Sequence, residues 1–117
     1  MFLNLNHYKL DVYKSARKLR LECYKILPKL PDSERFNLTD QIRRAATSVV
    51  LNITEGCSRK SDQERKRYFE MSRGSVIELD SCFDLIVESS YIKIEELDKI
   101  GKSIKTTFIL LSGMLKA

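Results

Sequence analysis

The chain has 117 residues, with 21 Lys and Arg against 16 Asp and Glu, a formal net charge of +5, and only 4 Gly and 2 Pro. That length predicts one domain, residues 1–117, with a modest core, and so little Gly and Pro argues against a turn-rich β-sandwich and for long helices. Residues 1–67 carry 15 basic against 8 acidic side chains and residues 68–117 carry 6 against 8, so the first half either meets an anionic partner, RNA or DNA first, or forms a solvated basic face.

The first periodic stretch runs from Leu10 to about Leu27. Val12, Ala16, Leu19, Cys23 and Ile26 recur at spacings of four and three, which puts them on one helical stripe; Lys14, Arg17, Lys18 and Lys25 occupy the other face. Pro28 and Pro31 stop this helix, because proline lacks an amide donor and restricts the residue before it. Asn37 is placed to N-cap a second helix, with Phe36 as a hydrophobic staple against its first turn. Leu38, Ile42, Ala45, Val49 and either Asn52 or Ile53 carry its stripe, and Gly56 is a natural stop. Ala45 and Ala46 leave one side thin enough for a neighbouring helix to come close.

Ser61-Asp62-Gln63-Glu64 fits a capping box and opens the longest stretch, with Tyr68, Ser72, Ser75, Leu79, Cys82, Phe83 and Ile86 on its stripe and an end near Ser89. Gly74 inside it costs about 1 kcal/mol relative to Ala, consistent either with close packing at Gly74-Ser75 or with a tolerated surface glycine. The last helix, about Lys93 to Lys116, carries Leu97, Ile100, Ile104, Phe108, Leu111 and Leu115, with acids first and lysines later, as the helix dipole prefers. Together the four predict an all-α, antiparallel up-down-up-down four-helix bundle. No apolar run approaches the roughly 18 residues of a membrane span, and Met1 to Leu10 lacks the features of a signal peptide, so the expected location is cytoplasmic and no membrane partner is expected. Cys23, Cys57 and Cys82, odd in number and widely spaced, predict free thiols.

Little points to catalysis. The single histidine, His7, sits in an N-terminal segment expected to be mobile, so neither a His-based triad nor a multi-histidine metal site is expected. Glu55, Glu78 and Asp80 are available as acid and base or as metal ligands, but the Glu-x-x-His pattern of di-iron bundles is absent, and structural carboxylates are the plainer account. The glycines are isolated and form no phosphate loop. The expectation is a non-enzyme with no catalytic residues, no cofactor and no metal.

The polar residues that stand out run along the second helix and just past it: Gln41, Arg43, Arg44, Asn52 and Glu55, then Arg59 and Lys60. A guanidinium at 43 or 44 can hold a phosphate in bidentate fashion or a carboxylate such as Glu78. Asn52, at a stripe position, needs a hydrogen-bond partner and can specify helix register. The strongest basic cluster is Arg59, Lys60, Arg65, Lys66 and Arg67, with Arg73 one to two turns on. Positive charge at a helix start opposes the dipole, and phosphate binding would offset that penalty. The expected nucleic-acid contacts are therefore Arg43, Arg44, Arg59, Lys60, Arg65, Lys66, Arg67 and Arg73. Tyr8, Tyr13, Tyr24, Tyr68 and Tyr91 either stack on unpaired bases or pack at helix edges. No RNA- or DNA-binding sequence motif is present.

Several blocks carry a family likeness. Tyr8-Lys9-Leu10 with Ala16, Leu38-Thr39-x-Gln41-Ile42-Arg43-Arg44-Ala45-Ala46-x-Ser48-Val49, Asn52-Ile53-x-Glu55-Gly56, Arg73-Gly74-Ser75-x-x-Glu78-Leu79 and Tyr91-Ile92 closely resemble the bacterial four-helix bundle family. Its members are encoded within intervening sequences of 23S ribosomal RNA genes, and it includes the accessory variability determinant of diversity-generating retroelements. The resemblance covers nearly the whole chain. It implies an antiparallel bundle assembled as a homopentamer with a basic central channel or face and, from the retroelement relatives, binding of nucleic acid and of a reverse transcriptase. The family signature falls on Gln41, Arg43, Arg44, Asn52, Glu55, Gly56, Gly74, Ser75 and Glu78 as structural or interface positions, with departures at Val50, Leu51, Thr54 and Ser72. The expected function is a non-enzymatic oligomer that binds RNA or DNA through a basic surface; the alternative is a scaffold that docks a protein partner such as a reverse transcriptase.

Overall fold

The periodicity of the sequence is realised as four α-helices and no strand in the computed structural model, which describes all 117 residues. Helix α1 covers Asp11–Ile26, α2 Leu38–Ser58, α3 Asp62–Glu88 and α4 Asp98–Lys116, with short 3-10 turns at Asn6–Lys9, Leu27–Lys29, Asp32–Glu34 and Ile94–Leu97. The whole α1 stripe is buried, joined by Tyr13, and Pro28 turns the chain into a 3-10 turn where α1 ends. At 1.5 Å per residue the 27 residues of α3 measure about 40 Å, most of the 44 Å long axis. No helix is long and apolar enough to cross a membrane.

Helices adjacent in the chain pack on one another, and α1 packs on α4, which closes the set around one continuous apolar cluster. Hydroxyl groups fix the register. Thr47 on α2 accepts from Arg20 Nε at 3.1 Å and shares a 3.2 Å bond with Tyr24, both on α1. Ser72 Oγ, fully buried, donates to the Val49 carbonyl at 2.7 Å, and Ser75 Oγ donates to Ser48 Oγ at 2.9 Å. Ser15 and Thr107 share a 2.7 Å bond between α1 and α4, and Ser103 donates to Glu22 across the same seam. At one end, Tyr91 donates to Glu34 and Lys29 to Glu96, each at 2.8 Å, which ties the α1–α2 connection to the α3–α4 connection.

Gly56 does not stop α2, which continues to Ser58. A Cβ on Gly56 would lie 2.4 Å from Phe69 Cε1, so this glycine is where α2 lets the aromatic ring of α3 come close. Gly74 is the opposite case: it is exposed, and a Cβ there would meet nothing within 4 Å.

Other local features depart from the expected pattern. Asn37 is the N-cap residue of α2, but its side-chain Nδ2 donates to Glu34 Oε1 at 3.0 Å and its Oδ1 accepts from Gln41 Nε2 at 2.9 Å, so its side chain caps no backbone amide. Glu34 Oε1 is the group that reaches the Leu38 amide, at 3.5 Å. Phe36 is 87% exposed, under the Arg35 guanidinium, and forms no staple. Half of the capping box is present: Ser61 Oγ accepts from the Glu64 amide at 3.2 Å, while the Glu64 carboxylate accepts from Arg67 Nε at 2.8 Å. On α3 the core takes Phe69 and Val76 in place of Tyr68 and Ser75, and on α2 it takes Ile53 in place of Asn52. His7, expected in a mobile segment, is buried, its ring 4.3 Å from that of Tyr8 and 4.9 Å from that of Tyr13.

Candidate nucleic-acid interface

Arg43 and Arg44 both stand on the exposed face of α2. Arg44 pairs one turn back with Asp40, at 2.8 and 3.1 Å, and that bond holds the Asp40 carboxyl below its ordinary range. Arg43 forms no ion pair, and Glu78 is exposed on α3, so no buried Arg–Glu pair sets the register.

The cluster around the α2–α3 turn is largely occupied from within. Arg59 reaches Glu55 at 2.9 Å and the Tyr68 hydroxyl at 3.0 Å, and its guanidinium lies 4.8 Å from the Tyr68 ring centre. Arg67 lies 4.7 Å from the same ring and pairs with Glu64. Arg65 donates to the Cys57 and Arg59 carbonyls, both at 3.3 Å, which satisfies acceptors that the end of α2 leaves open. Arg73 joins α3 to α4, stacked 4.4 Å from the Phe108 ring centre and donating to Ser112 at 3.0 Å. Lys60 and Lys66 form no ion pair. Exposed pairs of this kind contribute about 0–1 kcal/mol, so they neutralise the arginines without locking them.

Of the remaining signature residues, Gly74 and Glu78 are exposed, while the others make contacts within the fold. Gln41 bonds Asn37, and the Asn52 amide donates to Ser48 O and Oγ at 3.0 and 2.8 Å within α2. Glu55 holds Arg59, and Ser75 links α3 to α2. The tyrosines pack: Tyr8 and Tyr13 against His7, Tyr24 under Arg20 at 4.4 Å, Tyr68 under two arginines, Tyr91 on Glu34.

A second concentration of charge lies where α1 meets α4. Lys14, Arg17, Lys18 and Lys25 of α1 face Lys99 and Lys102 of α4 across a groove of about 640 Å³. Of these six only Lys102 is ion-paired, to the exposed Asp98 at 3.1 Å. The one acid lining the groove, Glu22, accepts from Ser103. The α1 cations read in sequence only as the outer face of an amphipathic helix. Their convergence with Lys99 and Lys102 needs the α1–α4 pairing, between residues 81 and 92 positions apart. On the other side of α4, a groove of about 510 Å³ combines Asp80, Asp84 and Asp98, and also Lys102 and Lys105, with apolar side chains such as Phe83 and Ile94.

The groups suited to covalent or metal chemistry are dispersed. Burial pushes the Cys23 thiol up to about 12 and raises Cys57 and Cys82 as well, which disfavours the nucleophilic thiolate. No three His, Cys, Asp or Glu side chains converge as metal ligands.

The solved structures include a fold similar to this one: a crystal structure of a protein with unknown function from the S23 ribosomal protein family of Bacteroides thetaiotaomicron. It is 20% identical, with a TM-score of 0.82 over 91% of this chain and 99% of that one. No curated protein matches the sequence. The family model of the 23S rRNA-intervening sequence protein matches residues 8–113, from the turn before α1 into the last turns of α4. The chain therefore belongs to the 23S rRNA-intervening sequence protein family.

Proposed function

We propose that this protein is a non-enzymatic, homo-oligomeric four-helix bundle of the cytoplasm that binds RNA or DNA through a basic surface. The observation that carries the reading is positive charge left without an ion-pair partner: Lys14, Arg17, Lys18, Lys25 and Lys99 in the α1–α4 groove, Arg43 on α2, Lys60 in the α2–α3 connection and Lys66 on α3. Arg44, Arg59 and Arg67 add charge once their weak ion pairs open, and Arg65 and Arg73, held by neutral acceptors, keep theirs.

Up-down-up-down topology is supported by the cross-helix bonds, since residues 15 and 22 of α1 meet 107 and 103 of α4, and 48 and 49 of α2 meet 75 and 72 of α3. The family resemblance supports a pentamer, in which a ring multiplies the subunit charge and focuses it on one surface. Raised thiols and a histidine walled in by two tyrosines support a non-catalytic role.

Fluorescence polarisation with a structured RNA at about 50 and about 200 mM salt tests the reading, because each phosphate contact steepens the fall of affinity with salt. Absence of binding at the lower salt refutes it. Light scattering tests the assembly, and a monomer at micromolar concentration contradicts the pentamer.

One observation favours the second reading, a scaffold for a protein partner such as a reverse transcriptase. The α3–α4 groove sets the carboxylates of Asp80 and Asp84, which form no ion pair, beside apolar side chains, with Ile94 66% exposed and Lys102 and Lys105 also in its lining, and offers a mixed polar and apolar seat for a protein segment. A D80K/D84K variant that keeps RNA binding but loses a protein partner would assign the function there.

A further inference from the structure

We infer that the groove between α1 and α4 is the principal seat of a nucleic-acid double helix, held through its phosphates and not through its bases. The inference rests on the proposed binding function and adds its location and the form of its ligand.

Placement comes first. Lys14, Lys18, Leu21 and Lys25 follow one another at spacings of four, three and four, so the lysines form a single line along α1. Eleven residues at 1.5 Å give a line of about 16 Å, and a duplex strand carries a phosphate every 3.4 Å of axis, so the line spans about five phosphates of one strand. Lys99 and Lys102 extend it from the opposite wall, in the first turns of α4. Cations there oppose the helix dipole, an arrangement that an anionic occupant relieves. In the α2–α3 turn, by contrast, Glu55, Glu64, Tyr68 and main-chain carbonyls already occupy the arginines.

Chemistry then selects the form of the ligand. Grooves that hold single strands pair positive charge with aromatic rings on which bases stack. This groove has none: apart from its cations it is lined by Leu21 and Glu22. The five tyrosines are engaged within the fold, with His7, Thr47, Glu34 or arginine. A polyanion whose bases are stacked inside it matches such a surface, and contacts to phosphate alone carry no sequence information.

The test uses the full chain and four fluorescent probes of roughly 20 base pairs or nucleotides: duplex RNA, duplex DNA, and one strand of each. Lys18→Glu with Lys99→Glu changes the groove, Lys14→Glu with Lys25→Glu repeats the change at other exposed positions, and Lys60→Glu with Lys66→Glu makes the same net charge change at the turn. Circular dichroism and light scattering accompany each variant. The expected result is duplex binding about ten-fold tighter than single-strand binding, and a loss of about ten-fold or more in either groove variant. The same variants flatten the salt dependence by a slope of about 2, and the turn variant loses less. A preference for RNA or for DNA duplex identifies which phosphodiester source the groove serves. Equal or tighter single-strand binding, or a larger loss in the turn variant, overturns the inference while leaving nucleic-acid binding standing. Intact binding by groove variants that change the oligomeric mass assigns the groove to a second copy and also overturns it. Wild-type protein that binds none of the probes removes the proposed function itself.

Discussion

Replacing Gly56 with Ala sets two effects of opposite sign against each other. Ala is the better helix former by about 1 kcal/mol in a helix interior, and less so at position 56, two residues from the end of α2. Against that stands contact: the new Cβ would lie 2.4, 2.7 and 3.1 Å from Cε1, Cδ1 and Cζ of Phe69, where ordinary contact begins at 3.4 Å. The ring must therefore retreat by about 1 Å, yet Phe69 is only 3% exposed and its neighbours belong to the same core. Overpacking of this kind costs about 1–3 kcal/mol, which leaves a net loss of about 1–2 kcal/mol. With about 2.1 cal/mol/K per residue over 117 residues, the entropy of unfolding is about 0.25 kcal/mol/K, and the melting temperature falls by about 4–8 °C. Thermal unfolding followed by circular dichroism at fixed protein concentration measures it. Phe69→Leu provides the control, since in that background Gly56→Ala should lose about 1 kcal/mol less. A G56A protein that melts at or above the wild-type temperature refutes the argument that close approach is what requires glycine here.

Two further outcomes follow from the titrating groups. The carboxyls of Glu34, Asp40 and Glu96 are held below their ordinary range, chiefly by the Tyr91 hydroxyl, Arg44 and Lys29 respectively. A depressed folded pKa stabilises fully above the ordinary carboxylate value of about 4 and loses that contribution as pH falls through the folded value. The melting difference between wild type and Glu34→Gln should thus be present near neutrality and close in acid; a difference constant down to about pH 3 would exclude the carboxylate as its source. Tyr91, raised by the same hydrogen bond, contributes below its ordinary value of about 10 and loses that share as pH rises further. Among the thiols, a disulfide-exchange reagent at mildly alkaline pH should label half-buried Cys57 first and reach Cys23 and Cys82 only on unfolding. Full native labelling of Cys23 contradicts its place in the core.

Periodicity made the helices legible because burial in this fold follows it closely: all five residues of the predicted α1 stripe are in the core. Its phase was less secure on α3, where Tyr68-Ser72-Ser75-Leu79 and Phe69-Ser72-Val76-Leu79 are both helical stripes. Which ring goes inside depended on a contact outside α3, the opening left by Gly56, together with Arg59 and Arg67, which cover Tyr68 from solvent. Asn37 has the right residue type and position for a cap, but Glu34, fixed by Tyr91 from the other end of the sequence, took the role. The site divided in the same way. A run of basic residues within one segment is visible by counting; that its arginines are tied to Glu55, Glu64 and nearby carbonyls is not. Nor does counting reveal that scattered lysines of α1 and α4 share a groove, because that requires knowing which helices are neighbours.

The seam between α1 and α4 also bears on how the fold closes. The pairing of α2 with α3 is the most extensive in the molecule and spans a connection of three residues, so it can form early from local contacts. The α1–α4 seam joins helices whose bonded residues lie 81 and 92 positions apart, so closing it carries the larger loop-closure entropy. The groove therefore needs both helices in place, whereas the basic turn of α2–α3 needs only one local connection. Any ligand that binds the groove only when α1 and α4 are paired would stabilise the closed chain by mass action, so that occupancy would resist opening at this seam.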